Sequence, residues 1–490
     1  MKTFYIDLHC HPGMRAYGKS FSTDTPGQNT TNKQQKHSIW HYDPPTFGDR
    51  LAQRTLGLTK FSQSNFTALS YGSARCICAS LYSVERGFVR LTIGTGLAAD
   101  FLANLISGLG PARIQFLQAN NDYFSDLVGE YNYYLQLHDK EISFSDIRRK
   151  YVMVKSFIDL QEAMQINENN IGVETIYVIV TIEGLHDLNA GNGNPPDEVK
   201  ILENLDKLKN WEYKPFFVTF AHHFYNDLCG HAESLSDFFQ DLMTNQEPGM
   251  NTGFTELGWK VLKKLIDNTD GKRILVDIKH MSYLARKEYI NFLKTEHAAD
   301  YAMKKFPLIA SHGACNGKQS GENPNPTPGL ELTASRMFDG DINFYDEEIL
   351  EIAKSGGVIG LQLDERRIAS KRFKNSLRLE FASASKRKHS NSKMVWNNIQ
   401  HIVQLLDKND LFAWDCIAIG SDFDGIIDPI NMFWTEEEMD DLVQYTERHA
   451  FNFFNDPNTV LKNNYNRIEP AEVVQRIFQY NAFEFFRKYF

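Results

Sequence analysis

Short apolar runs recur along this chain, and most are followed by a polar stretch with helical periodicity. The runs are "FYIDLHCH" (4–11), "ARCICASLYS" (74–83), "IYVIVTIEG" (176–184), "PFFVTFAHH" (215–223), "RILVDIKH" (273–280), "PLIASHG" (307–313), "GGVIGLQL" (356–363) and "CIAIGSDF" (416–423). Between several of them lie amphipathic segments such as "ELGWKVLKKLIDN" (256–268) and "DEEILEIAKSG" (346–356). Near-continuous apolar strands alternating with helices indicate a parallel sheet covered on both faces. Eight such units predict an α/β fold of the (β/α)8 TIM-barrel type.

The remaining segments read as long insertions after strands one, two and seven. Residues 12–50 are rich in Asn, Gln, Ser and Thr and predict a loop or partly mobile cover at the mouth. Residues 84–175 exceed what one barrel helix needs and predict an inserted helical cap, with "NDYFSDLVGEYNYYLQLH" (121–138) supplying its aromatic residues. Residues 364–415 carry a basic cluster, "SKRKHSNSK" (385–393), which reads as a solvated loop. The segments 436–454 and 470–490 read as closing helices. On this reading residues 1–490 form a single barrel domain.

Polar residues fall at particular places in this pattern. Six of the eight runs end in a side chain able to bind metal: His9 and His11, Glu183, His222, His280, His312 and Asp422. In a strand, alternate side chains share a face, so His9 and His11 point the same way and Cys10 points opposite. Barrels of this class build their active sites at the C-terminal strand ends, where residues distant in sequence meet around one mouth. Four histidines and two carboxylates exceed what one tetrahedral zinc takes. They suit two ions, with Glu183 the natural bridge through its two oxygens. Two ions about 3.5–4 Å apart can share a hydroxide and polarise a carbonyl or phosphoryl oxygen. The chemistry expected is metal-assisted hydrolysis.

Composition narrows the partners. A net charge of −10 argues against nucleic acid. No run of 18 apolar residues predicts a transmembrane segment, since "LTIGTGLAADFLANLISGLG" (91–110) is broken by Asp100, Asn104 and glycines and reads as a packed helix. The opening "MKTFYIDLHCH" enters a strand without the apolar stretch of a secretory signal. Six cysteines without a CxxC pair do not make a disulfide framework. A reducing, cytoplasmic setting is the expectation.

The motifs "AIGSDFDG" (418–425), "VTIEGLHDL" (180–188), "LVDIKHMS" (275–282) and "LIASHGACN" (308–316) together resemble the membrane dipeptidase (renal dipeptidase) family, the M19 metallopeptidases of amidohydrolase type. The segment 59–83 resembles the family's approach to its second strand, whereas 84–175 and 364–415 have no clear counterpart. The resemblance implies a zinc-dependent dipeptidase, with a dipeptide substrate and often a homodimer. It implies a first ion held by His9, His11, Glu183 and Asp422, and a second by Glu183, His280 and His312. A bridging hydroxide would attack the scissile carbonyl, with Asp422 as acid/base and His222 stabilising the oxyanion; His223 is the nearest competitor for that role. Arg336, in "TASRMFDG" (333–340), is similar to the arginine that takes the dipeptide's carboxylate. The family also tolerates a D-residue at the C-terminal position.

Three positions depart from the family pattern. His11 stands where an aspartate is usual, which removes a negative charge from the first site. The stretch before His222 lacks the usual Gly and Arg, and Gly184 is followed by Leu185 instead of a second glycine. Two rival functions stay open on the residues alone. One is a PHP-like phosphoesterase or another amidohydrolase, suggested by "DLHCHPG". The other is a non-catalytic scaffold with structural metals.

Overall fold

The computed structural model describes residues 4–490 apart from 57–58, 60, 92–93, 95, 170–171, 192–194, 236–244, 379–381 and 460. All eight expected strands form. They are β1 (Tyr5–Cys10), β2 (Ala74–Leu81), β5 (Val173–Glu183), β6 (Phe217–Thr219), β7 (Leu275–Asp277), β8 (Ile309–Gly313), β9 (Val358–Leu361) and β10 (Ile417–Ile419). Each pairs in parallel with its neighbour, β1 pairs with β10, and the β2–β5 ladder from Cys76↔Tyr177 to Leu81↔Ile182 completes the ring. The result is a closed barrel of eight parallel strands with helices between them. No helix among the described residues is long and apolar enough to cross a membrane.

The intervening helices cover the barrel with one apolar face each. Glu256–Ile266 starts at Thr255, whose side chain accepts from the Gly258 N–H, and buries Leu257, Val261, Leu262, Leu265 and Ile266. The segments after β10 are helical as expected: Met439–Asn455, then Pro470–Gln475 and Asn481–Tyr489. Ala482, Phe485 and Phe486 join Ile6, Leu8 and Phe217 in one buried cluster against the barrel.

Three expectations need correction. The 84–175 insertion is helical only in part, through Leu97–Ser107, Pro111–Ala119 and Tyr123–Leu135. It then forms a hairpin of β3 (Ile142–Phe144) and β4 (Ile147–Val154), and β4 lies parallel to β5 from Arg148↔Val173 to Val154↔Ile179. Ser145 and Asp146 turn the hairpin, both at positive φ (51° and 58°), as a two-residue turn matched to strand twist requires. Secondly, "SKRKHSNSK" is not a loop, because Ala384–Asn391 is a helix capped by the Ser383 side chain. Thirdly, residues 12–50 form the expected loop only in part, because 12–20 and 38–40 are packed. Met14–Ser20 is a helix with six buried residues, and Ile39 and Trp40 lie in the main core.

Candidate metal centre

Two strand irregularities deliver the histidines. Ile6 and Leu8 pack in one cluster with Tyr177, Ile179 and Phe217, so a regular β1 would turn His9 the other way. The β1–β2 register runs Asp7↔Ile77 and then Cys10↔Ala79, so β1 carries one extra residue between these pairs. Such a bulge re-aims the side chains beyond it, and His9 and His11 reach the centre while Cys10 sits beside Asp7 and Glu436. The β8–β9 register has a comparable shift, Ala310↔Ile359 then Gly313↔Leu361, which lets Ser311 and His312 both serve the site. His280 and Asp422 hold positive φ (66° and 61°) just past their strands. Non-glycine residues seldom adopt that conformation, and it recurs where side chains are aimed for function.

Glu183 stands in the middle. Its Oε2 lies 3.1 Å from His11 Nε2, and its Oε1 lies 3.5 Å from His9 Nε2. The same Oε1 is 3.3 Å from both His280 Nε2 and His312 Nε2, and 3.6 Å from His222 Nε2. Asp422 Oδ1 approaches His11 Nε2 at 3.7 Å and His9 Nε2 at 4.0 Å. Two groups with ligand atoms within 4.8 Å of one another therefore share Glu183: His9, His11 and Asp422 on one side, His280 and His312 on the other.

Charge and hydrogen bonding show what this cluster lacks. His9 Nε2 and His11 Nε2 face each other at 3.2 Å, as do His280 Nε2 and His312 Nε2 at 3.1 Å. The Nδ1 atoms of His11 and His280 are buried without a partner among the described residues. Burial holds the His280 and His312 imidazoles well below their ordinary pKa, in the neutral form that donates to a metal. Burial also acts to lower His11, but Glu183 outweighs it and pushes His11 up to about 9. Despite its burial, Glu183 is held well below the usual carboxylate range by His222 and His9. Burial and the neighbouring Glu183 charge push Asp422 well above that range. Imidazole nitrogens and carboxylate oxygens around a common centre are the donor set of zinc-type ions, and the residues fit such ions.

Outer contacts fix the donors. Asp277 Oδ2 accepts from Ser311 Oγ and Thr219 Oγ1, and Ser311 Oγ lies 3.0 Å from His9 Nδ1 and 3.1 Å from His312 Nδ1. Glu85, just past β2, sets His222: its Oε2 is 2.7 Å from His222 Nδ1, and its Oε1 accepts the Phe224 N–H. The Glu85 carboxyl is held below its ordinary range despite burial, chiefly by His222 and then His186. His223 also faces the cavity, with Nδ1 2.6 Å from Ser234 Oγ.

The cluster opens into a cavity of about 590 Å³, a volume ordinary for small-molecule sites. Glu183, His222, His280, His312 and Asp422 line it on one side, and Lys279, Arg366 and Arg367 line it elsewhere. The structure thus brings together His9, His11, Glu183, His222, His280, His312 and Asp422. It does not bring Arg336, which is a correction to the sequence reading. Arg336 is absent from the cavity lining, its Nη1 lies 3.4 Å from Asn397 Oδ1, and its guanidinium covers the Phe373 ring at 5.3 Å. Sequence reasoning also passed over Glu85, Lys279, Arg367 and the Asp277–Ser311 pair. "DIKH" and "SVERGF" placed Lys279 and Glu85 at strand ends, which was the available signal.

No protein-family model and no curated protein matches this sequence. Among solved structures, a metallo peptidase from Rhodobacter sphaeroides, liganded with a phosphinate mimic of the dipeptide L-Ala-D-Ala, is similar over 100% of both chains, with a TM-score of 0.52 and 12% identity. Dipeptidase AC, a metallo peptidase of family M19, aligns with 100% of this chain and 99% of its own at a TM-score of 0.49 and 12% identity. The probable dipeptidase PvdM from Pseudomonas aeruginosa aligns with 87% of this chain and 88% of its own at 0.45 and 15%. The first of these carries the comparison, and what it establishes is the fold: this chain shares its overall architecture with that protein.

Proposed function

We propose that this protein is a zinc-dependent dipeptidase of the M19 type. The observation that carries the reading is the convergence of His9, His11, His280 and His312 around both oxygens of Glu183, with Asp422 beside them, at the floor of an open cavity. A structural metal site is normally closed, whereas this one faces a cavity. The likeness to a peptidase that holds a dipeptide mimic agrees with it.

His9, His11, Glu183 and Asp422 would hold one ion, and Glu183, His280 and His312 the other. Zinc bound there supplies a Lewis acid for the scissile carbonyl and lowers the pKa of coordinated water. Asp422, whose carboxyl burial and the Glu183 charge push well above the usual range, faces the cavity and is placed to pass a proton toward the leaving amine. His222 is anchored through Nδ1 by Glu85, so Nε2 is aimed at the space above Glu183 where an oxyanion would develop. His11 in place of aspartate leaves the first site one negative charge poorer and favours weaker binding there. The test is hydrolysis of a dipeptide panel by zinc-loaded protein, with His280→Ala as control. Turnover lost in the variant supports the reading, and equal inactivity of both proteins with metal bound overturns it.

A further inference from the structure

The cavity contains three cationic side chains besides the histidines, and their surroundings differ. Arg366 is closed on itself: Nη2 lies 2.8 Å from Asp364 Oδ2, Nε lies 3.0 Å from Asp364 Oδ1, and Nη2 also donates to the Ile426 carbonyl. Lys279 is buried beneath the cavity and donates to the Ile342 carbonyl at 3.3 Å. Arg367 is the exception. Among the described residues its guanidinium has no hydrogen-bond or ion-pair partner; it lies only over the Phe338 ring, 5.7 Å from the centroid.

Its position explains why no partner has been taken. The short helix Glu365–Ile368 follows β9, and Asp364, its cap, is the buried carboxylate that Arg366 holds in an ion pair. Asp364, Asp422 and then Glu233 at the exposed rim act on Arg367 through charge, and none of the three forms an ion pair with it. A half-buried guanidinium facing a cavity with its fork open is costly unless something anionic enters, and a planar fork of donors matches a carboxylate in two parallel hydrogen bonds.

We infer that Arg367, at the mouth after the seventh strand, receives the terminal carboxylate of the substrate, in place of Arg336 after the sixth. The assignment rests on the dipeptidase reading for the identity of the carboxylate. It makes Arg367 a specificity residue and predicts that substrates lacking a free C-terminal carboxylate are poor.

The experiment measures binding and turnover separately. The binding probes are a phosphinate dipeptide mimic and its C-terminal amide, titrated calorimetrically into zinc-loaded wild type, Arg367→Gln, Arg367→Lys and Arg336→Gln. Wild type and Arg336→Gln are expected to prefer the free carboxylate by about 10- to 100-fold, the range for charge-assisted hydrogen bonds. Arg367→Gln loses the preference, and Arg367→Lys keeps part of it. Retention of the full preference in Arg367→Gln, its absence in wild type, or binding of neither probe by wild type overturns the inference. Hydrolysis of free dipeptides by wild type is read alongside. If turnover is absent while the preference still depends on Arg367, the dipeptidase reading fails and the Arg367 assignment stands.

Discussion

Two buried histidine–carboxylate clusters in this molecule look alike in composition and behave differently. His401, on the helix Lys393–Lys408, has each ring nitrogen occupied once: Nε2 lies 2.7 Å from Asp346 Oδ1 and Nδ1 lies 2.7 Å from Thr333 Oγ1. The second Asp346 oxygen accepts from Thr327. Every donor has one acceptor, and the cluster ties three helices together. At the barrel mouth the same residue types are over-supplied. Imidazole nitrogens confront one another at 3.1 and 3.2 Å, and two Nδ1 atoms have no partner among the described residues. A polar cluster that is satisfied within the protein is architecture, while one that crowds imidazole nitrogens and carboxylates together and leaves buried nitrogens unpaired has the donor set a cation could take.

That contrast yields predictions that differ in kind as well as size. Glu183→Gln or His280→Ala should lower kcat on dipeptides by on the order of 1,000-fold, because each removes a ligand or the bridge. Steady-state kinetics with parallel metal analysis checks this, and near-normal turnover in either variant would break the distinction. Chelation should do the same to wild type and lower its Tm by about 5 °C or more, since bound ions stabilise only the folded chain. Re-addition of zinc should restore both, as followed by calorimetry and assay.

Glu85→Gln sharpens the comparison within the site. It should cost about 10- to 100-fold in kcat, as outer partners of active-site groups do, with KM and zinc content little changed. An equal loss in KM, or loss of zinc, would make Glu85 a structural residue. His401→Leu should act in the opposite sense, lowering stability by about 3 kcal/mol by stranding the buried Asp346. Its kcat per folded molecule should stay at the wild-type level; chemical denaturation and an active-site-normalised assay read the two effects.

The sequence-to-structure comparison divides along the same line. The eight strands were legible because strands buried on both faces read as near-continuous apolar runs, and the clustered histidines and carboxylates were legible because they sit at equivalent strand ends. What was not legible depends on packing between segments distant in sequence. β4 ("IRRKYVMV") joins the sheet only through β5 and the aromatic cover that stacks Phe66 on Tyr151 at 4.4 Å. Arg336 matched a local pattern, but the insert 317–332 frees that loop from the register the pattern assumes. Asn397 then holds the Thr333 carbonyl, the Ser370 N–H holds the Arg336 carbonyl, and the guanidinium ends over Phe373. The role of Glu85 depends on a pairing 137 residues along the chain, invisible in either local stretch.

The most direct test of the central claim is calorimetric titration of zinc into metal-free protein, for wild type, His280→Ala and His401→Leu. The account predicts about two equivalents bound by wild type and by His401→Leu, the one held by His9, His11, Glu183 and Asp422 being the weaker, and loss of the tighter one in His280→Ala. No zinc bound above the level of an exposed histidine, or binding that vanishes in His401→Leu and survives in His280→Ala, would contradict it.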